Sequence, residues 1–111
     1  MTEPEDPSNP PTRSTIRWTP SAFRDLEHTH SFLALRDARA AREFAGRVRR
    51  ALAQLEQHPE SGAVADDLEP VGTYRHVVLK HHRLIYMLDQ DFVVILRVWD
   101  CRRNPEDLAI P

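Results

Sequence analysis

GTYRHVVLKHHRLIYMLDQDFVVILRVWDCRRNP, residues Gly72–Pro105, decides the fold. Three runs rich in Val, Ile, Leu and aromatics follow one another: Tyr74–Leu79, His82–Leu88 and Phe92–Trp99. Runs of this length and composition read as strands. The breaks, Lys80-His81 and Asp89-Gln90-Asp91, are short and polar, so they join antiparallel neighbours into a meander. Arg75, Arg83 and Arg97 stand inside the runs, and Arg102-Arg103 follow the last. A sheet carrying that much arginine is costly to bury, so one face is expected to meet water and something anionic.

Upstream, the pattern changes to helical. Thr15–Thr19 alternates, with Ile16 and Trp18 on one side, as a short strand does. Thr19-Pro20 then offers an N-cap followed by proline at the first helical position. Phe23, Leu26, His30 and Leu33 recur at helical spacing and predict a helix over 20–33. Asp37 is a second N-cap, and Ala41, Phe44, Ala45, Val48, Leu52 and Leu55 form an apolar stripe over 38–57, ended by Pro59. So short a break makes the two helices an antiparallel hairpin. The expected order is β-α-α-β-β-β, an α+β fold with the hairpin covering one face of a small antiparallel sheet and the other face partly open. Residues 58–72 read as a loop.

A chain of 111 residues implies one domain. Residues 1–14 are acidic and proline-rich with almost nothing apolar, so they are expected to be a disordered tail, leaving 15–111 as the domain. Fourteen of the fifteen cationic residues are arginine, which suits bidentate anion binding and equally a GC-rich coding sequence. The net charge of -2 hides an asymmetry: residues 56–69 carry five acids and no Lys or Arg, between two arginine-rich stretches. Cys101 is alone, so no intrachain disulfide forms, and no apolar run reaches membrane-spanning length. A cytoplasmic protein away from the membrane is expected.

The order of elements and particular residues resemble the RelE/ParE superfamily of type II toxin–antitoxin toxins. WTPSAFRDLE, the His58-Pro59-x-Ser61-Gly62 break, GTYRHVV, HRLIYML and VVILRVWDCRRNPEDL carry the resemblance, which covers about 15–108. It implies a bacterial toxin neutralised by a cognate antitoxin. Two target classes occur in the superfamily: ParE-like members poison DNA gyrase, and RelE-like members cleave messenger RNA on the ribosome. Fold does not separate them. The resemblance places family cations at Arg75, Arg83 and Arg102. A further strand cation falls at Val77 and a C-terminal tyrosine near Leu108. These two departures favour the ParE-like reading, with no catalysis of its own. A RelE-like endoribonuclease is the alternative, and a non-toxic member that only binds a partner is the third reading.

Metal-free RNA cleavage needs a base, cations for the phosphorane and an acid. Arg75, Arg83 and Arg102 could stabilise the phosphate, and His76, His81 or His82 could move protons. The plainer reading makes His81 and His82 hairpin-turn residues and pairs Arg83 with a carboxylate such as Glu69 or Asp100. Arg97, mid-strand, reads as structural, whereas Arg102 and Arg103 lie where loops carry function, and with Arg75 and Arg83 they are the candidate residues for binding a target or an antitoxin. His28, His30 and His58 lack a ligand spacing, so neither metal nor other cofactor is expected. Cys101 reads as a small packing residue, and Tyr86 and Trp99 as core aromatics. An antitoxin segment is expected on the sheet edge or the helix groove.

Overall fold

The computed structural model describes residues 14–111. Except for Ser14, the tail expected at the N-terminus lies outside the described residues. Strand β1 (Thr15–Trp18) leads into α1 (Pro20–Arg36) and α2 (Ala38–Gln57). A two-residue β2 (Ala63–Val64) precedes the meander β3 (Arg75–Leu79), β4 (His82–Asp89) and β5 (Phe92–Asp100). Thr19 caps α1 by accepting from the Ala22 N–H, and Asp37 caps α2 by accepting from the Arg39 N–H.

The sheet order is β1-β5-β4-β3-β2. The meander is antiparallel, as the short turns require, but β1 lies parallel to β5, Thr15 opposite Phe92 and Trp18 opposite Ile95. The sheet is therefore mixed, a correction to the antiparallel sheet expected. A parallel neighbour needs a crossover, and the helical hairpin together with the meander provides it. Alternation told only that one side of β1 is buried, not which way its partner runs. The pair β2–β3 is a second correction, since residues 63–64 read as loop; two residues show no periodicity.

The helices pack on one face. Phe44, Val48, Ala51 and Leu55 of α2 meet Leu79, Leu84, Tyr86, Val93, Ile95 and Val98 in one core. On the other face Ile85, Leu96 and Trp99 form a smaller cluster, covered by Leu68, Tyr74, Leu108 and Ile110. That face is thus closed over β4 and β5 and stays open over β3, where Val78 is 65% exposed. Leu96 is an extra residue in β5, since Ile85 opposes Arg97 while Tyr86 opposes Ile95. The bulge turns both Leu96 and Arg97 toward the outer face. Past the end of β1, side chains finish the free edge of β5. The Thr19 hydroxyl donates to the Ile95 and Leu96 carbonyls at 3.0 and 3.1 Å, and Asp25 accepts from the Val98 N–H at 3.0 Å.

Candidate functional site

The register assigns each arginine to a face. Arg75 opposes Tyr86, so it lies on the helix side of the sheet. Arg83 opposes Val78 and Trp99, so it lies on the outer side. Arg102 lies beyond β5, beside Asp100, which opposes His82 on the helix side. The three residues expected to form a catalytic set therefore do not converge.

Each is also engaged. Arg75 Nη1 donates to the carbonyls of Glu60 and Gly62 at 3.1 and 2.8 Å. Tyr86, fully buried, holds the same loop: its hydroxyl accepts from the Gly62 N–H at 3.0 Å and donates to the Pro59 carbonyl at 2.7 Å. Burial raises the Tyr86 phenol above its ordinary value, so it keeps its proton. A Cβ on Gly62 would stand 2.5 Å from that hydroxyl, which is why the His58-Pro59-x-Ser61-Gly62 break ends in glycine.

Arg83 is buried and forms a two-pronged pair with Asp67, at 2.9 and 2.7 Å. Its partner comes from the acidic loop but is neither Glu69 nor Asp100. The Arg83 hydrogen bond holds the Asp67 carboxyl below the usual carboxylate range. Arg83 Nη1 also lies 3.2 Å from His76 Nδ1. A guanidinium only donates, so Nδ1 is the acceptor and the ring proton resides on Nε2. Burial, then the Arg83 charge, lower the His76 pKa and favour that neutral ring.

Arg102 grips Asp100 through Nε and Nη2, both at 3.0 Å, and its own N–H donates to the same carboxylate at 2.9 Å. These contacts bring Asp100 down to about 2. Arg103 stacks over Trp99 at 4.6 Å and has no carboxylate partner among the described residues. Arg97, expected to be structural, binds Asp25 at 2.7 and 3.0 Å and the Ala109 carbonyl at 2.8 Å, tying α1 to the C-terminal segment.

His81 sits exposed in the turn, as expected, whereas His82 does not. It is buried on the helix face against Phe44, ring centroids 5.3 Å apart. The turn takes only Lys80 and His81, so His82 opens β4 in phase with Leu84 and Tyr86. That phase was the signal available in the sequence. Cys101, expected to pack, is exposed in the turn after β5. Trp99 and Tyr86 are core aromatics. The positions lacking the superfamily's cation and tyrosine are apolar and packed: Val77 against the helix-side core and Leu108 against Trp99 and its neighbours.

Between the two helices, beside Trp18, a mainly apolar groove of about 450 Å³ is lined by Phe23, Leu26, Phe44, Val48 and Leu52, with Glu27, His30 and Arg49 also on its wall. Among the described residues no three His, Cys, Asp or Glu side chains gather as metal ligands. Nor is any helix among them long and apolar enough to cross a membrane.

A family model described as the ParE toxin of the type II toxin–antitoxin system parDE matches residues 16–105. The chain belongs to the ParE toxin family. Three solved toxin–antitoxin structures share its fold. A chain of the chromosomal ParDE system from P. aeruginosa is 17% identical with a TM-score of 0.64, over 81% of this chain and 98% of that one. A chain of the RelBE2 toxin–antitoxin complex from Mycobacterium tuberculosis is 25% identical with a TM-score of 0.56, over 80% and 92%. A chain of the YoeB dimer from Staphylococcus aureus is 17% identical with a TM-score of 0.56, over 78% and 95%. Among curated proteins none matches the sequence. The ParE-family chain is a toxin of a type II toxin–antitoxin system.

Proposed function

We propose that this ParE-family toxin acts in the cytoplasm by binding DNA gyrase, without catalysis of its own, and that a cognate antitoxin neutralises it. One observation carries the reading against a nuclease: Arg83 lies on the opposite face of the sheet from Arg75 and Arg102, and each of the three is held by an internal acceptor. Phosphorane stabilisation needs cations aimed at one point and free to meet charge as it develops. Here Arg75 fastens a loop, Arg83 neutralises a buried position and Arg102 closes a turn. What remains for a target is recognition surface, with Arg103 as its least engaged cation.

For the antitoxin, the groove between the helices is the better of the two sites expected. Its lining is mainly apolar, Phe23 is 49% exposed within it, Arg49 stands exposed on its wall, and Arg42 and Arg50 are exposed elsewhere along α2. An amphipathic segment with acidic flanks fits both features.

The gyrase reading is tested by adding purified toxin to a supercoiling reaction. Inhibition with accumulation of cleaved DNA–gyrase complex is expected; unaffected supercoiling at micromolar toxin would sink it. The RelE-like reading stays as the second, because the RelBE2 chain is the most similar in sequence of the three neighbours described. In that case primer extension on ribosome-bound transcripts gives codon-phased cuts after induction, and they disappear in Arg83→Ala. If induction leaves growth unchanged, the third reading, a non-toxic binding partner, replaces both.

A further inference from the structure

Where α1 passes over the end of β5, a cleft of about 430 Å³ opens, its wall including His28, Thr29, Phe32, Asp100, Arg102 and Arg103. A smaller cleft of about 120 Å³ adjoins it on the α2 side and shares Leu33, His82 and Arg102 with it. His82 stands between the two. Its side chain is 9% exposed, and among the described residues its ring makes no hydrogen bond; the nearest carboxylate oxygen, on Asp100, is 4.0 Å from Nε2. The ring nitrogens are not sealed in the core but open to the clefts, so a ligand seated there can reach them.

The hydrogen-bonding inventory of the walls is one-sided. Asp100 already accepts three N–H groups from Arg102, and Asp25 accepts from Arg97 and the Val98 N–H. Both carboxylates on the wall are thus already engaged by donors of this chain. On the donor side, Arg102 Nη1 makes no hydrogen bond among the described residues, Arg103 rests only on the Trp99 ring, and the His82 ring is unengaged. Phe32, Leu33 and Val98 supply an apolar wall. Free donors, engaged carboxylates and an apolar side match a ligand with an anionic head on a small carbon body.

We propose that this cleft binds a small organic oxyanion, a phosphate or carboxylate on an apolar body, with His82 at the floor and Arg102 and Arg103 at the rim. The site is independent of the gyrase reading. An anion on the His82 ring favours its protonated form, so affinity rises as pH falls and the ligand raises the pH at which His82 titrates. The other charged groups facing this space are Asp100 beside Arg102 and Arg103, Lys80 and His81 in the adjoining turn, Glu43 and Arg47 on α2, and Asp25 and His28 on α1.

The test is NMR of the full chain, following the His82 ring during titration with phenyl phosphate, benzoate and inorganic sulfate. Saturable shifts are expected for both aryl anions, with at least one of them about tenfold tighter than sulfate because of the Phe32 wall. Sulfate keeps its charge between about pH 5 and 8, and it should raise the His82 titration midpoint. Arg103→Gln, at an exposed position, should weaken aryl binding several-fold while leaving the fold intact. His82→Gln should remove the pH dependence. The proposal is overturned by shifts that grow linearly without saturation, by equal affinity for sulfate and both aryl anions, or by binding unchanged in Arg103→Gln. Shifts centred on Arg42, Arg49 and Arg50 would overturn it too.

Discussion

Gly62→Ala is the substitution that most directly probes the loop clamp. Three atoms crowd the new methyl: Tyr86 Oη at 2.5 Å, Tyr86 Cε1 at 2.7 Å and the His76 carbonyl at 2.9 Å. Real Cβ contacts do not come so close, so the Tyr86 ring or the strand must shift. Tyr86 is fully buried, which leaves the ring no free volume to move into. Overpacking of this kind costs about 1–3 kcal/mol. Displacing the hydroxyl adds about 1 kcal/mol for each of its two hydrogen bonds, to the Gly62 N–H and the Pro59 carbonyl. Alanine restricts the unfolded chain and returns about 0.4–1 kcal/mol. The net is a loss of about 2–4 kcal/mol, or roughly 10–20 °C in Tm for a domain of this size. Urea unfolding followed by Trp fluorescence measures it. Tyr86→Phe removes the closest contact but leaves the Gly62 N–H without its acceptor, so alone it costs about 1–2 kcal/mol. In the double variant the two losses should fall short of their sum by about 1 kcal/mol. A Gly62→Ala unfolding free energy within about 0.5 kcal/mol of wild type would refute the clamp as the reason for this glycine.

Asp100 offers a pH test. Its carboxyl is held down to about 2 by Arg102, below an unfolded value of about 4, so its stabilisation is complete above about pH 4 and is lost as pH falls toward 2. Asp100→Asn should flatten that part of the acid-unfolding profile; an unchanged slope between those limits would count against the pair. His82 runs the same way at higher pH, because burial lowers its folded pKa: stability should decline as pH falls below about 6.5, less so in His82→Gln. Asp67→Asn should cost about 1–2 kcal/mol, tempered by the partial exposure of Asp67, while leaving gyrase inhibition intact in a supercoiling assay. Gln90 adopts φ 54°, a left-handed conformation costly to a side chain, so Gln90→Gly should raise the unfolding free energy by up to about 1 kcal/mol, seen as a higher urea midpoint with an unchanged m-value.

Much of the fold was written in local pattern. Thr19-Pro20, Asp37 and the stripe from Ala41 to Leu55 mark helices because capping and 3.6-residue periodicity are short-range properties. The meander followed from two short turns. The parallel pairing of Thr15–Trp18 with Phe92–Ile95 was hidden, since nothing in a four-residue strand names a partner at the far end of the chain. The site was legible as residue types but not as geometry. Arg83 does need a carboxylate, and residues 56–69 advertised five acids and no Lys or Arg, yet only the loop path selects Asp67. Arg75 and Arg83 look equivalent as strand arginines. Strand parity could have separated them: Arg75 shares a face with Tyr86, and Arg83 with Val78. His82 read as a turn residue because its neighbour His81 is one.

The parallel pair also sets a timetable for synthesis. Strand β5 lies between β1 and β4, so the sheet has no centre until residues 92–100 have left the ribosome. At bacterial elongation rates of about 5–20 residues per second, β1 and the helical hairpin wait seconds for the strand they pack on. During that interval the apolar stripe of α2 faces no sheet. A chain built this way completes its sheet only when synthesis is nearly finished, and until then the apolar stripe of the hairpin is open to any binding partner already present.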